Sequence, residues 1–177
     1  MARPTPVIVL VNGAPGSGKT TLASPLGRML GLPLIAKDTI KEAMADVLAP
    51  TGDIPRSSQL GAAAFEVMWA VARDAGDCVL EGNFGAESAE RIRSLSSRPI
   101  EVFCSCPVDE ILRRYSDRVA ARHPIHMGDS YVERLRKQLA STAPSPLGLG
   151  PVREVDTTLP TDHDSVAHWV RAQAAAG

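Results

Sequence analysis

Residues 13–20 read GAPGSGKT and follow the apolar run VIVLVN. Gly13, Gly18, Lys19 and Thr20 fit G-x-x-x-x-G-K-[ST], the spacing of a phosphate-binding loop. Each residue type has a task in that chemistry. The small, turn-forming residues Gly13, Ala14, Pro15, Gly16, Ser17 and Gly18 let backbone N–H groups converge on a β-phosphate. The helix that opens at the end of the loop, with Thr21 in its first turn, points its positive pole the same way. Lys19 supplies a cation for the β/γ oxygens, and Thr20 a hydroxyl for Mg²⁺. The strand before the loop and the amphipathic pattern after it separate this motif from a glycine-rich turn without a ligand. The loop implies a nucleoside triphosphate and leaves open what receives the phosphate.

Ligands of open parallel sheets sit beyond the carboxyl ends of the strands, so the residues that close the other apolar runs are the next candidates. AKDTIKEAM places Asp38 after the run LPLIA, at the start of a helix. Two readings are open: Asp38 caps that helix, or it takes the proton of an attacking hydroxyl. Lys41, nearly one helical turn on, either holds an anionic or polar group of the acceptor or is solvated. VLEGNF closes the third run with Glu81, in the place from which a water on Mg²⁺ is commonly held; Glu81 acts either on that water or on the acceptor. Asn83 behind it either touches the acceptor or bonds within the turn.

ILRRYSDRVAARHPIH spaces Arg114, Arg118 and Arg122 at i, i+4 and i+8, which predicts one shared helical face. Three cations on one face repel one another, and they fit a lid that closes on phosphates; the plainer alternative is a solvated basic face. Arg114 and Arg118 are assigned to the nucleotide and Arg122 to the acceptor side. His123 and His126 flank Pro124 with no third metal ligand, so lid contacts are expected of them.

These residues need a scaffold. The runs 6–12, 32–36, 77–82, 99–105 and 152–156 read as short apolar strands separated by helix-length segments, which predicts a parallel sheet with helices on both faces. Leu22, Leu26, Met29 and Leu30 mark one core-facing helix; Leu60, Ala64, Val67, Met68 and Val71 mark another. Further helices are expected from Pro107 onward and over 128–139. The Pro/Gly/Ser stretch 141–151 reads as the connection to the last strand. One domain over 1–177 is expected, with a lid at about 113–130. The chain has a formal net charge of -1 and is 44% hydrophobic, which excludes a global basic field for nucleic acid or an anionic membrane. No run approaches the ~20 apolar residues of a membrane span. A cytoplasmic protein is the expectation, with Cys104 and Cys106 as buried small hydrophobes.

Taken together, GAPGSGKTTLA, KDTIKE, LEGN, VFCSCPVDEILRRYSDR and VDTT resemble the corresponding segments of small P-loop kinases, in particular polynucleotide 5′-kinase domains. AKDTIKEAM and REVDTT are equally similar to chloramphenicol phosphotransferase. The resemblance implies an α/β P-loop NTPase three-layer sandwich with a five-stranded parallel sheet and an arginine-bearing lid. It implies ATP with Mg²⁺, Asp38 as general base, Lys41 at the acceptor, and Arg114 and Arg118 as lid arginines. It also implies that VDTT, with Asp156 and Thr157, lies near the adenine; Asp156 as a turn residue is the alternative. Glu81 and Gly82 stand where polynucleotide kinases tend to have Asp and Thr. The expected acceptor is a hydroxyl on a small molecule such as an antibiotic or metabolite. The rivals are a polynucleotide or nucleoside 5′-hydroxyl and, without any acceptor, a regulatory ATPase.

Lys19→Ala is expected to remove most phosphoryl transfer and to weaken ATP binding, because backbone amides do not replace a point charge on the β/γ oxygens. Labelled γ-phosphate transfer and nucleotide titration measure both; unchanged turnover would overturn the assignment.

Overall fold

A computed structural model describes residues 5–48, 54–126 and 128–176. Its strands are β1 (Val7–Asn12), β2 (Leu34–Ala36), β3 (Cys78–Glu81), β4 (Arg98–Ser105) and β5 (Val152–Asp156), all paired in parallel in the order β2-β3-β1-β4-β5. The helices are α1 (Lys19–Leu30), α2 (Lys37–Leu48), α3 (Ile54–Ala75), α4 (Ala86–Ser94), α5 (Val108–Asp117), α6 (Gly128–Ser141) and α7 (His163–Ala175). This is the five-stranded parallel sheet between helical layers that the alternation of runs predicts. No helix among the described residues is long and apolar enough to cross a membrane.

The central strand reads as continuously apolar because alternate side chains enter two different cores. Val9 and Val11 pack with Leu22 and Leu26 of α1 and with Val166 and Val170 of α7. Ile8 and Leu10 pack with Met68 and Ala72 of α3 and Ile92 of α4. Burying side chains of this size contributes roughly 1.5–3 kcal/mol each. Cys104 lies in the first core, as expected, but Cys106 follows the end of β4 and is only partly buried.

Two expectations fail. Leu60, Ala64 and Met68 are buried, but Val67 and Val71 are 40% and 45% exposed. The sheet contacts an i, i+4 stripe of α3 that continues to Ala72, and these two valines lie on its flank. The second failure concerns the arginines. The helix carrying Arg114 ends at Asp117, Arg118 is its C-cap, Val119–Ala121 is a 3-10 turn, and Arg122 is extended at φ -84, ψ 153. Arg122 therefore shares no helical face with Arg114 and Arg118. Pro124 bars a helix from running through residue 123, and the Tyr115 ring receives the Arg122 guanidinium 4.6 Å from its centroid.

Buried Glu101 of β4 anchors the 141–151 connection. Its carboxylate accepts Leu147 N–H and Gly148 N–H, each at 3.0 Å, and Asn12 Nδ2–H at 2.8 Å. Asn12 Oδ1 in turn accepts Gly13 N–H and Phe84 N–H, at 2.7 and 2.9 Å. Glu101→Leu orphans three donors, and a buried unsatisfied group costs about 1–3 kcal/mol. Its denaturation midpoint should fall by a few kcal/mol in stability, and Glu101→Gln, which keeps an acceptor, by less. Equal midpoints in wild type and Glu101→Leu would refute the anchor.

Candidate active site

The phosphate-binding loop leaves β1 at the centre of the sheet, between β3 and β4, and ends at the N-terminus of α1. Gly18, the N-cap of α1, has φ 88, and a Cβ there would meet Thr157 at 3.3 Å; Gly16 has φ 90, and a Cβ would meet the carbonyl oxygen of Ile111 at 2.9 Å. Glycine is required at both by backbone angle and by close approach. Lys19 is buried, and its Nζ donates to Ala14 O at 2.8 Å. Burial pushes its pKa down, against the pull of Glu81 and Asp38. Ser17 Oγ is buried in the loop with no hydrogen-bond partner. An orphaned hydroxyl and the unpaired N–H groups of a helix start form a donor set that fits phosphate oxygens.

Glu81, at the end of β3, is 4% exposed and accepts Thr20 Oγ1–H at 3.4 Å. Burial pushes its pKa up and Lys19 opposes this. Thr20 and Glu81 are thus side by side, an all-oxygen pair suited to Mg²⁺ and one of its waters. Asp38 is the second residue of α2. Its Oδ1 accepts from Lys37 Nζ at 2.9 Å and its Oδ2 from Arg122 at 3.5 Å, with no backbone N–H among its bonds. The cap alternative therefore has no hydrogen bond behind it. Burial raises the Asp38 pKa, but Lys37, then His126 and more weakly Lys19, outweigh it and hold the carboxyl at about 2.

Two clefts meet at Asp38, Lys19 and Glu81. One continues along Thr20, Thr21 and Arg118. The other, a small polar cleft open to solvent, continues along Lys41, Asn83, Tyr115, Tyr131 and His126, with Arg122 bordering both. Lys41 is not solvated: it is buried and donates to Ser57 Oγ at 2.7 Å, while that hydroxyl donates to Ile125 O at 2.7 Å. Asn83 is exposed on the rim. The lid rests on α2 through His123 Nε2 and Asp46 at 3.0 Å and His126 Nε2 and Glu42 at 2.6 Å. Both histidines make lid contacts, as the missing third ligand predicts.

A further cleft opens between Gly16, Gly18, Arg114, Arg118, Thr157 and the turn before α7. Arg114 is held by Glu110 at 2.6 Å and donates to Thr157 O at 2.9 Å. Thr157 Oγ1 reaches Ser17 O at 2.8 Å, so the lid helix, the phosphate loop and the end of β5 share one threonine. Burial and the neighbouring Arg122 and Arg114 all disfavour the charge on Arg118, whose Nε donates only to Arg114 O. Among the described residues no carboxylate pairs with Arg118. Asp156 is exposed and accepts Thr158 N–H and Oγ1–H at 2.9 and 2.7 Å, so the turn reading holds for it.

Five residues of the site have no role legible in the sequence: Lys37, Ser57, Tyr115, Tyr131 and Glu42. Ser57 lies 16 residues from Lys41 in a helix start without distinctive spacing. Lys37 was legible as a charge beside Asp38, though not as its ion-pair partner.

A family profile described as an AAA domain matches residues 8–142. A candidate kinase from Chloroflexus aurantiacus is 33% identical and superposes with a TM-score of 0.85 over 96% of this chain and 98% of its own. Shikimate kinase from Acinetobacter baumannii, solved with shikimate, is 21% identical with a TM-score of 0.62 over 98% and 94%, which shows a shared fold. Cytidylate kinase from Pyrobaculum neutrophilum is 34% identical over 84 residues, 45% of this chain and 46% of that protein. The matched stretch thus spans less than half the length of the curated relatives. From β1 to the end of α6 the chain follows the family profile, and it belongs to the AAA domain family, among the small P-loop kinases.

Proposed function

We propose that the chain is an ATP-dependent phosphotransferase that passes the γ-phosphoryl group to a hydroxyl of a small molecule. The observation that carries this reading is the junction at Asp38: one carboxylate, held ionised, lies where a cleft along the phosphate-binding loop meets a second, polar cleft lined by Lys41, Tyr115 and Tyr131. The kinase names of the relatives support it.

Bound Mg·ATP supplies the phosphoryl group and the charge neutralisation of its leaving oxygens. Thr20 would ligate the ion and Glu81 hold one of its waters. Lys19 leaves Ala14 O for the β/γ oxygens. Arg118 and Arg114, at the lid edge, offer charge to the transferring group. Asp38 orients the acceptor hydroxyl and takes its proton. With a pKa of about 2 it is a weak base, and this suits a loose transition state in which the proton leaves late. Its main work is then to hold the hydroxyl in line, and Lys37 and Arg122 hold the carboxylate for that task.

Two outcomes are expected. In a panel of alcohols, nucleosides, antibiotics and oligonucleotides with labelled ATP, transfer should depend on a small acceptor, and Asp38→Asn should lower it by ~10²–10⁴-fold with ATP affinity near wild type. ATP hydrolysis that is indifferent to acceptor and to Asp38→Asn would make the chain a regulatory ATPase. Labelled oligonucleotide 5′ ends, lost steeply with salt, would instead favour the polynucleotide reading. The second outcome concerns stability. The folded pKa of Asp38 lies below its ordinary value of 3.8, so its ionised form contributes stability above about pH 4 that is lost as pH falls towards 2. Between pH 4 and 2 the wild type should therefore lose stability more steeply than Asp38→Asn. Parallel curves would show that the carboxylate is not held ionised by the fold.

A further inference from the structure

The acceptor cleft is lined by four cations, Lys19, Lys37, Lys41 and Arg122, against two carboxylates, Asp38 and Glu81. Three of the cations have a task. Lys19 belongs to the nucleotide, and Lys37 and Arg122 clamp the two oxygens of Asp38. Lys41 is left over. It is 6% exposed, its one hydrogen bond goes to the neutral Ser57 hydroxyl, and among the described residues no carboxylate lies within ion-pair distance of it. A buried ammonium beside Lys37 and Arg122 with no counter-charge is costly. Burial and Lys37 accordingly push its pKa down to about 8, against the attraction of Asp38. Two of its three donors remain, and they face a cleft that also presents the Tyr131 hydroxyl, which makes no hydrogen bond among the described residues.

We infer that the acceptor is an anionic alcohol whose oxyanion, a carboxylate or a phosphate, is bound by Lys41 while its hydroxyl lies at Asp38. This rests on the kinase reading of the same cleft. Asp38 and Lys41 are three residues apart on α2, which places their Cβ atoms roughly 5–6 Å from each other. Hydroxyl and anion then belong to one compact molecule, such as a hydroxy acid, a sugar acid or a sugar phosphate. The anion supplies the counter-charge that Lys41 lacks, and a neutral alcohol of the same shape leaves the ammonium unpaired. The inference separates acceptors by charge where the fold alone does not.

The test uses matched pairs with labelled ATP: a sugar acid and its amide, and a sugar phosphate and the free sugar. The anionic member should be preferred in kcat/KM by about 10–100-fold, the worth of a charge-assisted bond to an otherwise unpaired buried group. The two pairs distinguish carboxylate from phosphate. Lys41→Met should abolish the preference chiefly through KM, and Lys41→Arg should restore part of it. A second measurement needs no turnover. With the ATP site filled by a non-hydrolysable analogue, inorganic phosphate and malonate are titrated by calorimetry; at least one should bind saturably to wild type and ten-fold or more weaker to Lys41→Met, whose folding is checked by thermal melting. Neutral members phosphorylated as well as anionic ones, or anion binding indifferent to Lys41→Met, would overturn the inference and leave the kinase reading standing. ATP consumed with no acceptor labelled from any pair would overturn both.

Discussion

Asn12, the last residue of β1, is the joint from which the site hangs. Its side-chain oxygen takes the N–H of Gly13, the first residue of the phosphate loop, and the N–H of Phe84, just after the turn that carries Asn83. Its amide group donates to buried Glu101, which also holds the 147–148 backbone. One side chain thus sets the exit of the loop relative to the end of β3 and to the neighbouring connection. The geometry of Lys19, Thr20 and Glu81 depends on it, because a glycine-rich loop has little conformational preference of its own. Burial away from water makes these bonds obligatory: each donor or acceptor left alone would cost more than the bond contributes when made.

Around that joint the charges are arranged in unequal numbers. Asp38 receives Lys37 and Arg122, and Glu110 takes Arg113 and Arg114, so most cations near the lid are neutralised locally. Among the described residues Arg118, Lys41 and Lys19 have no ion-pair partner: Arg118 and Lys19 lie along the phosphate-binding loop and Lys41 lines the cleft beside Asp38. Arginine and lysine also differ in use here. The planar guanidinium of Arg122 lies on the Tyr115 ring while reaching Asp38, whereas Lys41 is a compact charge on a buried stem. The lid is docked on α2 by polar contacts, and the apolar α5–α6 cluster behind it packs against Ala14 of the loop.

The family match and the residue-level resemblance agree on the chassis and diverge on the acceptor. Proteins named for shikimate and for cytidylate share this fold or part of this sequence, and the quoted motifs are equally near polynucleotide and antibiotic kinases. Function in such folds lives in the site, and here the distinguishing element is the lining contributed by α2, the start of α3 and the lid.

The local, periodic and motif-bound features were legible in the sequence: the phosphate loop with Lys19 and Thr20, the two-sided apolar strands, and the carboxylates Glu81, at the end of β3, and Asp38, just beyond β2, at the ligand-bearing edge. Those are legible because their spacing along the chain is their geometry. Tertiary structure alone decided the rest. The arginine series breaks at Asp117, so that Arg122 turns to Asp38; Ser57 meets Lys41 from another helix; Glu101 reaches across β1 to Asn12; Val67 and Val71 face solvent. Apart from Pro124, which bars a helix through residue 123, these have no local signal, because each is settled by which surfaces come together after the strands have paired, and a residue's partner across 16 to 89 positions of chain is set by burial and charge compensation rather than by its neighbours in sequence.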